Sequence, residues 1–362
     1  PYTTLFRSYS VGADLDFQDC TLTSNSAKIG GAAAVTALSS ITMDTSTVTQ
    51  NTATTTGGAV YATSSSVIST NTNYTSNTAG TNGGAVYLIA SSVASIISSY
   101  FSSNAATATD GGAVYATASN VSTSSCTYDS NTAGTSGGAF FVTTSGSLNM
   151  ASCTVTNNMA NNGNGGGIVV DANPTTVTGT TFGTNIASGS GGGLYGTLIT
   201  SMIVGSSSFT SNTAATNGGG LYSTSTGVGA VSVSTSNFSS NSAGLGGGIY
   251  VQGASNSLAT MDTYIASNTA TQGGGVYTTS AATLSSTTFD SNSAILPNGA
   301  AVHATAPITL LDATLYNNMV CRSPLHLLCC YILLFSPHVA ITIGLLYRRG
   351  HNRERTQLDL RQ

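Results

Sequence analysis

The sequence predicts an all-β chain: a single-stranded parallel β-helix, or solenoid, of about 12 coils of ~27 residues with three short strands per coil. Three observations predict it. A phrase returns almost unchanged, "SNTAGTNGGAVY" at 76–87 and "SNTAGTSGGAFF" at 130–141. An asparagine recurs every 24–29 residues, at Asn25, Asn51, Asn77, Asn104, Asn131, Asn158, Asn185, Asn212, Asn241, Asn268, Asn292 and Asn318. Within each repeat the apolar residues alternate with a period of two, which is the period of a strand.

The strands follow in order. Leu148, Met150, Cys153 and Val155 stand 10, 8, 5 and 3 residues before Asn158, and Val231, Val233, Ser236 and Phe238 fill the same places before Asn241. The alternation predicts strands, and the slip between 8 and 5 predicts a corner that divides two of them. A third strand follows the glycine pair, as in Gly247, Ile249 and Val251. Glycine and asparagine between strands are expected to supply the bends and positive φ. One coil cannot bury its inner face alone, so coils must stack at about 4.8 Å, giving a rod of about 55 Å. Asparagines stacked at one corner can hydrogen-bond amide to amide, so the twelve are expected to form a structural ladder. None of them is a glycosylation acceptor, because the residue two later is Ala or Val; acceptor sequons stand at Asn73, Asn120 and Asn237.

Four residues after the first glycine of each pair come Tyr61, Tyr87, Tyr115, Phe141, Val169, Tyr195, Tyr222, Tyr250, Tyr277 and His303. Each is preceded by an aliphatic or Phe140, and successive strand residues face opposite ways. The aliphatic column shares its parity with Val142, Val170 and Val251 and is placed inward. The aromatics Tyr61, Tyr87, Tyr115, Phe141, Tyr195, Tyr222, Tyr250 and Tyr277 then form an outward stripe, a candidate binding surface for a protein or a glycan.

The pairing of "FSSN" (101–104, 238–241), "FTSN" (209–212) and "FDSN" (289–292) with "GGAV" (57–60, 83–86, 111–114) resembles the repeat of the chlamydial polymorphic membrane proteins over roughly residues 17–320. The resemblance implies a right-handed β-helical passenger that works in adhesion and is exported by a C-terminal β-barrel.

Four segments are expected. Residues 1–8, "PYTTLFRS", match the translation of a sequencing-library adapter and are set aside. Residues 9–320 form the repeat domain. Leu325–Tyr347 has 23 residues without a formal charge, long enough for a single-pass transmembrane helix; an artefactual tail is the alternative. Residues 348–362 form a basic tail that would hold its side cytoplasmic. This arrangement predicts an extracellular or cell-surface protein. Cys329 and Cys330 would be candidates for acylation if the segment spans.

Composition narrows the chemistry. Only 6% of residues are charged, the net charge is -4, and of eight basic residues only Arg7 and Lys28 precede Arg322, so no nucleic-acid partner is expected. No C-x-x-C occurs, the histidines lack zinc spacing, and neither Lys nor a helix follows the glycine pairs, so no metal or other cofactor is expected. Cys20, Cys126 and Cys153 share a slot that elsewhere holds Ser, Thr or Ala. They read as small inward residues, although Cys126 and Cys153 on adjacent coils lie within disulfide reach. The aspartates are scattered over separate coils, save Asp14, Asp16 and Asp19 at the N-terminal edge, which argues for a non-enzymatic adhesin-like or structural protein. A carbohydrate-active lyase or hydrolase, which needs clustered carboxylates, is one alternative. An ice-binding solenoid is another, suggested by "TLT" (21–23) and "TVT" (47–49, 154–156) and broken by "YFS" (100–102), "NFS" (237–239) and "YIA" (264–266).

Overall fold

A computed structural model describes residues 8–171, 174–225, 228–296 and 299–320, with the backbone strands Thr3–Thr4, Leu333–Leu334, Thr342–Arg349 and Asn352–Asp359. The repeat region winds as a parallel β-solenoid, and every coil lays one strand on each of four parallel sheets. Taking one coil as the unit, Val60–Thr63 lies on sheet I, Ser66–Thr70 on sheet II, Asn73–Thr75 on sheet III and Thr78–Ala79 on sheet IV. Sheets I and III hold 13 strands, and sheets II and IV hold 12. Neighbouring coils pair in register, so Val60 meets Val86 and Tyr74 meets Phe101.

The expectation of three strands per coil is corrected to four. The extra strand directly follows the ladder asparagine and is two residues long in most coils, lengthening to four at Ser242–Leu245 and Thr269–Gln272. Two residues carry no readable periodicity; only the stacked backbone hydrogen bonds make them a strand.

The expected corner between sheets II and III is present, at Ser125 (φ 54°) and Ser152 (φ 53°), and a second stands just before each asparagine, as at Ser130 (φ 56°). Both are left-handed turns, and they are held mostly by Ser, Thr, Asn and Asp rather than glycine. Short polar side chains tolerate this region better than bulky ones do. The glycine pair has a different task. Gly57 needs its positive φ of 64°, whereas a Cβ on Gly58 would collide with the Gly84 carbonyl oxygen on the next coil.

The interior is one continuous apolar cluster. The aliphatic column of sheet I, from Val60 to Val302, is buried as expected. The apolar residue three before each asparagine is the inward residue of sheet III. There Tyr74, Phe101 and Tyr128 stack on one another, and so do Phe182, Phe209 and Phe238, at 4.4–4.9 Å between centroids. Burying such rings adds a large favourable contribution to that of the aliphatic columns. The candidate span Leu325–Tyr347 lies largely outside the described residues. Among the described residues no helix is long and apolar enough to cross a membrane.

Candidate functional site

The asparagines form a ladder along one buried corner. Each of the first eleven donates Nδ2 to Oδ1 of the asparagine on the next coil at 2.9–3.0 Å. Asn131 shows the full set. Its Nδ2 donates to Asn158 Oδ1 and to the Phe101 carbonyl, both at 3.0 Å, and its Oδ1 accepts from the Asn104 backbone N–H and Nδ2, both at 3.0 Å. The amide therefore satisfies itself and a backbone N–H that the corner takes out of the sheets, at zero exposure.

Two more ladders, absent from the sequence reading, serve other corners. Between sheets II and III the shared Ser/Thr/Cys slot repeats one bond. Ser46 Oγ accepts from Cys20 N at 3.1 Å, Ser99 Oγ from Thr72 N at 3.2 Å, Cys126 Sγ from Ser99 N at 3.3 Å and Cys153 Sγ from Cys126 N at 3.5 Å. The disulfide within reach is not formed: Cys20, Cys126 and Cys153 are free thiols, the last two buried. Hydrogen bonding with Cys126, followed by burial, raises Cys153 and keeps it a thiol. In the turn leading to sheet I, Asn82 Oδ1 accepts from Asp110 N at 3.1 Å, Asp110 Oδ1 from Ser136 N at 2.9 Å, and Asn164 Oδ1 from Ser190 N at 2.8 Å. The signal was legible, since Asn, Asp or Ser stands immediately before these glycine pairs.

Outside sheet I the expected stripe is continuous in two runs. Tyr61, Tyr87, Tyr115 and Phe141 stack at 5.2–5.5 Å, and Tyr195, Tyr222, Tyr250, Tyr277 and His303 at 4.7–5.1 Å. The planes lie within 9° of parallel among the phenyl and phenol rings. The stripe is less open than an outward column suggests. Most rings are half-buried, and Tyr222 and Tyr250 are exposed by only 9% and 5%. Each ring covers the next, and the glycine turn lies against the column, so that a Cβ on Gly218 would meet Cβ of Tyr222. Stacked in this way, the rings offer solvent their edges and hydroxyls rather than their faces. Burial, then the neighbouring phenols, pushes Tyr250 up to about 12; burial, then Tyr87 and Asp110, does the same for Tyr115.

The remaining candidates stay apart. Asn73 and Asn120 are exposed, Asn237 is half-buried, and Asn120 Oδ1 accepts from Ser147 N at 3.0 Å. Sheet III turns Thr47, Thr49, Thr154 and Thr156 outward, but Tyr100 and Tyr264 interrupt the hydroxyl array. Desolvation acts to raise Asp129, yet hydrogen bonds from Asn157, Thr156 and Ser130 outweigh it and hold the carboxyl below its usual range. Asp290 is lowered in the same way by Ser291, Tyr264, Tyr316 and Asn317. Among the described residues no cluster of three His, Cys, Asp or Glu could hold a metal.

The sequence model of the Chlamydia polymorphic membrane protein repeat matches residues 45–63, 206–224 and 235–252. Each match begins at or next to the corner before sheet III, crosses the ladder asparagine and the glycine pair, and ends on the sheet I strand. No curated protein and no solved structure matches the chain. What the family model recognises is therefore the part of a coil that runs from this corner to sheet I, at three places, and the chain is a parallel β-solenoid with repeats similar to those of that family.

Proposed function

We propose that the protein acts at a cell surface as a non-enzymatic, adhesin-like or structural rod whose ligand is a protein or a glycan. The observation that carries this reading is the repeat, whose family is described as a membrane protein. The outer aromatic stripe adds an extended, weakly charged surface of the kind that binds neutral partners. Asp110, Asp129 and Asp290 favour structure over catalysis, because each holds backbone or side-chain groups of its own or adjacent coils. Lys28 is the one basic residue between Ser8 and Val320, which disfavours nucleic acid. Leu325–Tyr347 would serve as a single-pass anchor.

The test is display and binding. Antibody raised against the full chain should label intact cells, and the purified chain on beads should capture cells or glycans. The triple variant Tyr195→Ser, Tyr222→Ser, Tyr250→Ser should lose that capture while remaining folded. Labelling only after permeabilisation would sink the surface reading, and undiminished capture by the triple variant would reduce the stripe to scaffolding.

A further inference from the structure

An apolar patch lies open on the outer faces of sheets II and III. Val93 and Ile97 point outward from the strand Val93–Ile97 of sheet II. Ile68, on the preceding coil, stands opposite Ser95 and so falls between them. Tyr100 follows the left-handed turn at Ser98 and carries the patch onto sheet III. These four side chains are 38–48% exposed. Single outward aliphatics are ordinary, as with Ile203, whose register neighbours are Thr176 and Ser232. Four that adjoin one another mark a surface that something covers.

Two of the three acceptor sequons border this patch. The register sets Asn73 beside Tyr100 from the preceding coil and Asn120 beside Val93 from the following one. Both asparagines are exposed. Asn120 uses only its Oδ1, which accepts from Ser147 N at 3.0 Å and Ser147 Oγ at 2.9 Å. Glycosylation takes Nδ2 and leaves Oδ1 a carbonyl, so this turn survives the modification. Asn237 differs. It is half-buried between Ser208 and Tyr264, with its Oδ1 enclosed and unpartnered, so a sugar there would oppose closure of the sheet.

We propose that Asn73 and Asn120 carry N-linked glycans whose first sugars cover Ile68, Val93, Ile97 and Tyr100. In the transfer, Nδ2 bonds to the anomeric carbon of an oligosaccharide held on a lipid pyrophosphate. The bond from that carbon to the pyrophosphate oxygen breaks, and Nδ2 gives up a proton. Register neighbours on adjacent coils stand about 4.8 Å apart, so one glycan begins beside the Tyr100 ring and the other beside Val93. The C–H faces of the sugars meet the apolar side chains, and their hydroxyls face water. This goes beyond the surface reading and rests on it only for passage through a secretory compartment, where such donors are met.

Glycopeptide mapping of the full chain from its own cells should find sugar on Asn73 and Asn120 and none on Asn237. Enzymatic release from the folded chain, which turns each modified asparagine into aspartate, should raise the fluorescence of a hydrophobic dye about twofold. Thr75→Ala with Ser122→Ala removes both sequons and keeps both asparagines, and should give the same dye signal without enzyme. Adding Val93→Ser and Ile97→Ser should return the signal to that of the glycosylated chain. Bare Asn73 or Asn120, or sugar on Asn237, would overturn the assignment, and an unchanged dye signal on release would overturn the cover. These outcomes separate from the wider reading: labelling of intact cells with both asparagines bare leaves the surface role standing, and glycans on a chain labelled only after permeabilisation leave the modification standing.

Discussion

Two aromatic stacks run along this solenoid, one inside sheet III and one outside sheet I, and they share a spacing because both inherit it from the strands. Their roles differ. The inner rings, such as Phe182, Phe209 and Phe238, are fully buried and fill the bore. The outer rings are half-buried or shielded chiefly by one another and by the glycine turn. Stacking alone therefore does not tell a core from a surface; what decides is which parity of the strand the ring occupies.

The largest expected break in that comparison is Phe209→Ala. It removes the middle ring of an inner run and should cost about 3–5 kcal/mol, seen as a lower urea midpoint. Asn131→Ala comes next. It strands the Asn104 backbone N–H, takes from Asn104 Nδ2 one of its two acceptors, and leaves Asn158 Oδ1 one donor poorer. The cost should be about 1–3 kcal/mol, and an unchanged melting temperature would argue against a structural ladder. Hydroxyl deletion sharpens the inner stack. Tyr128 OH pairs with Thr123 Oγ1 at 2.7 Å, so Tyr128→Phe should cost about 1 kcal/mol. Tyr74 OH is buried with no hydrogen-bond partner, so Tyr74→Phe should be neutral or stabilising in the same assay. Outside, Tyr87→Ser breaks two stacked pairs and should cost only about 0.5–1.5 kcal/mol by thermal melting.

Alkaline titration separates the stacks without mutation. Tyr115 and Tyr250 rise from the ordinary phenol value near 10 to about 12. A raised folded value means that their share of stability is complete below pH 10 and is lost as pH rises through 12. Tyr74 and Tyr128, raised further by burial, should ionise only as the chain unfolds. Phenolate absorbance should therefore show an outer class near pH 12, followed by an inner class that appears together with loss of β-sheet circular dichroism. A single transition covering all of them would contradict the division.

Much of this was legible because a repeat states its pattern many times. The asparagine column, the inward aliphatics from Val60 to Val302 and the corner six residues before each asparagine could all be placed from spacing alone. The short strands of sheet IV, mostly two residues long, could not, because their identity comes from hydrogen bonds to adjacent coils. The ladder through Cys126 and Cys153 was seen as a slot of small residues but not as hydrogen-bond acceptors. Nothing in a side-chain list says which backbone N–H a corner will leave without a carbonyl. The stripe was assigned to the correct face, yet its rings were credited with more access than stacking leaves them.

The asparagine ladder also has a direction. All eleven Nδ2–H bonds between coils run from the earlier asparagine to the later one, so their carbonyls point together toward the N-terminal end of the rod. Aligned amides polarise one another in a buried, low-dielectric setting, and head-to-tail alignment leaves uncancelled partial charge at the two ends. The ladder is thus an electric dipole built from neutral side chains, negative toward its first coils and positive toward its last, in a chain segment that carries almost no cations to mask it.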